Sequence, residues 1–421
     1  MDKGRSARTV FLENFFSLSV LQFVTNALPI ITVPYLTRTL GLEGFGIYVF
    51  IQALVSFLDV IVSYGFRVSA TDQVAKNIEN ISAVSRIFWT VLFAKMWLLI
   101  LSLTALFLGI GLFSTLLQNW ILILCGLPLL LGNLMFPVWL FQGLQDMKFI
   151  TILHSLAKVF FVATIFIYVH DPSHIWRALL LHASGFLIAG ILSLLIAVRR
   201  FELRYYVPKP REILMQLKSG REIFLSQLMV SFYTTLNTIG LGFFQPAPVV
   251  AAYALGDKVY RLIGSLSAPF NRAIFPVLST RVTARRQDYD AISRKSILGL
   301  FFVFSILGGV VYLFTPLIMF VLSGESNNRM EAEAVLQILA AAIPFFVIAA
   351  SSTYHLVAQG KSGQLLKILF YSASLNVAFL APISKFYGAS GVAYLTLGVA
   401  IFIAVAQVRA MGVSLIKARV L

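Results

Sequence analysis

Charge is scarce in this 421-residue chain: Asp, Glu, Lys and Arg make up 12% of it, and only 17 residues are acidic. With 59% hydrophobic residues, that thin polar coat excludes a water-soluble globule, because any globule leaves much of its surface in water. Cysteine is nearly absent. Cys125 stands alone in an apolar stretch, which excludes an intrachain disulfide and a thiolate metal site. No metal-ligand cluster, catalytic triad or Gly-rich dinucleotide motif occurs, so the sequence predicts no enzyme, no metal and no cofactor. The one phosphate-loop fragment, Gly360-Lys361-Ser362, has His355 where an earlier glycine is required, and reads as a turn. ATP hydrolysis is therefore not expected. No cleavable signal is predicted either, since the basic start runs into an apolar stretch too long for a signal core.

What is present is a succession of about twelve apolar stretches, each near the roughly 20 residues that cross a hydrocarbon core. They lie at about 11–36, 44–65, 84–113, 117–141, 150–169, 176–198, 223–244, 249–278, 297–322, 334–358, 365–386 and 392–411. They exceed barrel strands in length and lack strand alternation, so an all-α polytopic membrane protein is expected. Of the 33 Lys and Arg, 21 fall on one alternate set of loops, among them Lys3, Arg67, Lys148, Arg199, Arg200, Arg294 and Lys361. The opposite set holds four: Arg38, Arg177, Arg329 and Lys385. That asymmetry predicts both termini on the cytoplasmic side. It also explains most of the formal net charge of +16 without nucleic-acid binding. Trp89, Trp120, Trp139 and Trp176 fall near span ends, as an interfacial belt requires, while Trp97 sits deeper and reads as packing.

The longest cytoplasmic connection, residues 199–222, has six spans on each side. Pro208 and Pro210 argue against one continuous helix through it. The expected organisation is an N-lobe (1–198), this connection, and a C-lobe (223–421). Weak similarities repeat at matching places in the two halves: Gly46-Ile47-Tyr48 with Ala251-Ala252-Tyr253, and Gln142-Gly143 with Gln359-Gly360. Halves with an even number of spans repeat in the same orientation, which predicts a central cavity suited to alternating access. Prolines 29, 34, 128, 137, 269, 276 and 344 interrupt spans and read as kinks or hinges.

Charges inside the spans are costly, about 2.5–3.5 kcal/mol each on insertion scales, so they mark pairs, cavities or snorkelling stems. Arg86, Lys367 and Arg409 lie near span ends and can snorkel. Five deeper cations remain: Lys95, Lys158, Lys258, Arg261 and Arg272. Treated as one helix, span eight places Arg272 about 20° from Arg261, with Lys258 about 60° away and Asp257 about 40° to the other side. One reading is a basic stripe lining a cavity. The other is an Asp257–Arg261 pair with Arg272 snorkelling. Asp59, Asp257 and His154 are candidates for ion coupling, with His182 and His355 as further titratable groups. Five cations against two carboxylates predict an anionic ligand.

The tract Pro34-Tyr35-Leu36-Thr37-Arg38-Thr39-Leu40-Gly41 followed by Gly44-Phe45-Gly46, and the tract Pro137-Val138-Trp139-Leu140-Phe141-Gln142-Gly143 with Met147 and Lys148, resemble bacterial O-antigen and polysaccharide flippases of the Wzx type. The resemblance extends through Ala273-Ile274-Phe275-Pro276 and the Gln359-Gly360 turn. It implies membership of the multidrug/oligosaccharidyl-lipid/polysaccharide exporter superfamily, with two six-helix lobes in a V in the bacterial inner membrane. It also implies export of an undecaprenyl-pyrophosphate-linked oligosaccharide to the periplasmic leaflet. The partners it implies are that glycan, membrane lipids, a polysaccharide polymerase and a chain-length regulator. The competing expectations are a MATE-type antiporter of small molecules, which calls for cavity acids rather than bases, and a membrane enzyme of glycan chemistry, which calls for a large outer loop.

Overall fold

A computed structural model describes residues 7–284, 286–324 and 329–412, with side chains over 28–280, 289–324 and 329–412. Lys3, Arg5, Arg285, Lys417 and Arg419 of the basic loops lie outside the described residues. All regular structure among the described residues is helical. The chain divides into two compact units, Met1–Leu228 and Met229–Leu421.

The first unit holds α1 (Ala7–Ser63), α2 (Phe66–Lys76), α3 (Ile81–Leu112), α4 (Ser114–Gln118), α5 (Trp120–Gly126), α6 (Pro128–Met135), α7 (Val138–Gly143), α8 (Lys148–Tyr168), α9 (Ile175–Arg200) and most of α10 (Pro210–Tyr233). The second holds α11 (Thr235–Phe244), α12 (Ala247–Ser265), α13 (Ala268–Ala284), α14 (Arg286–Leu313), α15 (Thr315–Ser323), α16 (Arg329–Ala358) and α17 (Ser362–Met411). Eight segments among the described residues are long and apolar enough to cross a membrane. Large apolar side chains stand exposed along them, for example Leu108, Leu112, Phe302 and Leu313. In water such faces would associate; in lipid they are the outer surface.

Two of the longest helices are each a pair. Gly41 (φ 69°, ψ 172°) interrupts α1, and Gly388 (φ 57°, ψ −147°) interrupts α17. Both are conformations that a Cβ disfavours, so glycine permits the chain to turn there without leaving the apolar layer. Four stretches read from sequence as single spans are broken, among them 297–322, which breaks at Phe314 between α14 and α15. The stretch 117–141 contains α5, α6 and α7. The stretch 223–244 breaks at Thr234, and 249–278 breaks at Leu266–Ser267. Pro128 and Pro269 begin new helices, where a missing N–H costs nothing, rather than kinking old ones.

Packing is tightest where side chains vanish. A Cβ on Gly190 of α9 would lie 2.3 Å from the Gly132 carbonyl oxygen of α6, so the two backbones touch. In the second unit α16 is central and packs against α12, α14 and α17, burying Leu339, Ala340, Ile343 and Val347.

The tryptophans divide differently from the belt expectation. Trp120 and Trp176 are exposed, but Trp139 is buried in the core of the first unit against Phe88. Trp97 is 62% exposed, so it faces outward rather than packing. The connection after α9 is irregular from 203 to 209 and becomes helical at Pro210. It is strapped to α3: Trp89 Nε1 donates to the Arg204 carbonyl (2.9 Å), the Arg204 N–H to Ser85 Oγ (3.0 Å), and Arg86 pairs with Glu212. The Lys209 N–H and the Tyr206 hydroxyl also reach the Glu212 carboxylate and hold its pKa below the ordinary glutamate range.

Candidate functional site

The intramembrane charges gather in two places, one per unit. In the first unit, Lys95 of α3 is buried. Its ammonium donates to the carbonyls of Asn133 (2.9 Å) and Leu134 (3.2 Å). The sequence dictates this locally. Phe136 is extended and Pro137 has no N–H, so α6 ends inside the apolar layer with carbonyls that no following amide can satisfy. A cation at a helix C-terminus satisfies them and complements the dipole. Asp59, on the part of α1 after Gly41, bears on Lys95 as a counter-charge. Asn133 and Ser63 stand beside the carboxylate, and its Oδ1 is buried with no hydrogen-bond partner. Lys95 is thus engaged by two backbone carbonyls at the end of α6.

His154 and Lys158 lie one turn apart on α8. The His154 ring packs on Phe136 (4.3 Å between centroids) and on Phe186 (5.8 Å). Lys158 and Arg67 are near enough for their charges to act on it. On α9, His182 packs on Phe161 and Phe186, and its Nδ1 lies 2.9 Å from Gln52 Nε2. Gln52 also donates to the Tyr48 hydroxyl at 2.6 Å.

In the second unit, Asp257, Lys258 and Arg261 come together on α12. Arg261 Nε donates to Asp257 Oδ2 at 2.6 Å, the i, i+4 pair foreseen as one of two readings. Asp257 is mostly enclosed, 13% exposed at its side chain, whereas Arg261 is 41% exposed. One carboxylate faces two cations, so the cluster keeps a formal charge of +1. Arg272 does not belong to it. The break at Leu266–Ser267 puts Arg272 on α13, where it is exposed, and a helical wheel drawn through 249–278 does not apply across that break.

Polar groups that the charge argument passed over form a second layer. Asn237 Nδ2 lies 3.2 Å from the Tyr253 hydroxyl and 3.1 Å from Thr396 Oγ1, and its Oδ1 accepts from Asn376 Nδ2 at 2.8 Å. His355 is fully buried among Tyr289, Ser293 and Ser296. Isolated Asn and Gln inside apolar stretches were the available signal. Tyr48 and Tyr253, the repeated tyrosines, each meet an amide side chain, Gln52 and Asn237 respectively. Among the described residues no three of His, Cys, Asp and Glu come together as a metal site.

This fold, two helical units with charges enclosed in apolar helices, is that of a multi-pass membrane transporter. A sequence profile for the family described as polysaccharide biosynthesis protein matches residues 11–282, and the chain belongs to that family. A profile for the MatE family matches residues 223–382. An Escherichia coli (strain K12) protein whose name assigns it to O-antigen transport is 29% identical over 383 residues, 90% of this chain and 91% of that protein. A Shigella dysenteriae protein of the same assignment is 29% identical over 386 residues, 90% of this chain and 94% of that protein. Among solved structures, the lipid II flippase MurJ in an inward closed conformation superposes with a TM-score of 0.73 at 15% identity, covering 94% of this chain and 87% of that one. An inward-facing multidrug resistance MATE transporter gives 0.69 at 15% identity, covering 94% and 96%. The sequence resemblance therefore holds, and the chain is a multi-pass protein of the bacterial inner membrane.

Proposed function

We propose that this protein is a flippase that carries an undecaprenyl-pyrophosphate-linked oligosaccharide, an O-antigen or related repeat unit, from the cytoplasmic to the periplasmic leaflet by alternating access, driven by an ion gradient. The observation that carries the reading is the surplus of cationic charge within apolar helices, in a chain of the polysaccharide biosynthesis family. A pyrophosphate is the part of such a lipid that Lys and Arg recognise. Within the first unit the cation we assign to it is Lys158; within the second they are Lys258, Arg261 and Arg272. Lys95 serves the fold instead.

We infer twelve spans, six per lobe, with both termini cytoplasmic. The interruptions at Gly41 and Gly388 split two of the long helices, the α10–α11 and α12–α13 pairs supply further crossings, and the loop charge bias sets the orientation. The connection 199–222 separates the lobes, and a polymerase and a chain-length regulator act on the exported unit. Deleting the gene in a strain without a redundant flippase should abolish surface polysaccharide and leave lipid-linked units at the cytoplasmic leaflet. Units that still reach the outer leaflet would reject the proposal. The MatE match over 223–382 favours a second reading, an ion-coupled antiporter of small molecules. Export of cationic drugs by the purified protein, with no movement of lipid-linked glycan, would establish it.

A further inference from the structure

After Gly41, one face of α1 carries Tyr48, Gln52, Ser56, Asp59 and Ser63, spaced i, i+4, i+8, i+11 and i+15. The stripe runs for about 22 Å, most of the thickness of an apolar layer. A row of five polar residues on one membrane helix is costly unless something polar uses it. Along part of it lies a cavity of about 90 Å³, lined by Gln52, Ser56 and His182 among apolar neighbours including Val55 and Leu179. Ser56 is exposed, so the cavity opens there, and it has room for water beside the three polar side chains, Gln52, Ser56 and His182. Asp59 lies one helical turn beyond Ser56 and Val55, with its buried Oδ1 unpartnered.

We propose that Asp59 is a proton-binding carboxylate reached through the Gln52–His182 cavity, and that its charge state sets the hold of Lys95 on the broken helix α6–α7. This rests on the ion-driven transport proposed above and names the site at which the ion acts. The groups that face Asp59 are Lys95 of α3 and Asn133 of α6, with Ser63 on its own helix; His182 of α9 meets Gln52, about two turns earlier, and His154 and Lys158 lie on α8, which also packs on α1. A metal cation at Oδ1 would meet the Lys95 ammonium alongside a single carboxylate, whereas a proton needs only the free oxygen. Protonation is a simple transfer: hydronium in the cavity gives up a proton, its O–H bond breaking to leave water, and the carboxylate becomes the neutral acid.

The consequence follows from the two carbonyls. With Asp59 ionised, Lys95 has both a counter-charge and the Asn133 and Leu134 oxygens. With Asp59 neutral, the ammonium is left enclosed with carbonyl dipoles alone, a state that favours its withdrawal from the end of α6. Phe136 and Pro137, the non-helical pair between α6 and α7, are the element that Lys95 then ceases to hold. Proton binding at one helix thereby acts on a break in another, which is the minimum a coupled transporter needs.

The test uses the full chain in liposomes with an internal pH dye and an imposed pH gradient, alongside infrared difference spectra between high and low pH. Wild type should conduct protons and show a protonated-carboxyl band that titrates. Asp59→Asn should lose the band and at least tenfold of the proton flux, and Asp59→Glu should recover both. Undiminished flux in Asp59→Asn overturns the proposal, as does transport that follows a sodium gradient in place of a pH gradient. If wild type moves lipid-linked oligosaccharide but no protons, this proposal fails and the flippase reading stands. If it moves protons through Asp59 but no oligosaccharide, the flippase reading fails and the proton site stands.

Discussion

Replacing Lys95 with Met removes an ammonium that is 4% exposed and holds two carbonyls at 2.9 and 3.2 Å. The substitution keeps the unbranched stem, so little packing is lost. Two losses remain: hydrogen bonds from a charged donor, about 1.5–3 kcal/mol each when measured singly, and the counter-charge of Asp59. Asp59 and Lys95 do not touch as an ion pair, so removing either one strands the other at a cost below the roughly 3–5 kcal/mol of a buried contact pair. Asp59→Asn strands Lys95 in turn and should cost a similar amount. The double variant strands no charge. Its cost should therefore fall short of the sum, leaving a coupling of about 1–2 kcal/mol, inside the range that interacting neighbours show. The assay is a double-mutant cycle on the purified chain in detergent, read by reversible unfolding in a chemical denaturant. Additive single and double variants, within about 0.5 kcal/mol, would refute the reasoning and separate Asp59 from Lys95.

Three further outcomes follow from other parts of the molecule. Lys258→Ala and Arg261→Ala should each lower export at unchanged membrane abundance; normal export in both would remove α12 from the anion path. Gly190→Ala should destabilise by about 1–3 kcal/mol because its Cβ meets the Gly132 carbonyl, whereas Gly299→Ala, with nothing within 4 Å, should be neutral or gain up to about 1 kcal/mol of helix propensity. Equal effects on thermal stability would contradict the packing. Glu212 is held below its ordinary pKa, so its contribution to strapping the connection onto α3 is complete above the usual glutamate range and fades as pH falls through that range towards the folded value. Protease nicking of the 201–212 segment should rise with acidification in wild type and lose that pH dependence in Glu212→Gln.

The membrane class and the succession of spans were legible because hydropathy over 20 residues is an additive property that neighbours cannot mask. The Asp257–Arg261 pair was legible too, since i, i+4 spacing on a helix fixes contact. The breaks were harder. Pro128 and Pro269 announced irregularity, but a proline can kink a helix or open a new one, and the difference depends on packing across the unit. Lys95 shows where charge counting stops: its partners are backbone carbonyls released by the break at Phe136–Pro137, and carbonyls leave no trace in sequence. Trp139 read as interfacial from its distance to a span end, yet it packs inside, because depth along a helix says nothing about which way a side chain points.

The central claim is best tested by reconstituting the purified protein in liposomes that carry lipid-linked oligosaccharide, and following how much of it becomes accessible to a sugar-cleaving enzyme added outside. The account predicts that accessibility rises past the half fixed by the outer leaflet towards completion. It predicts acceleration by a pH gradient and a marked slowing in Arg261→Ala. Accessibility that stays at the value of protein-free liposomes would contradict it.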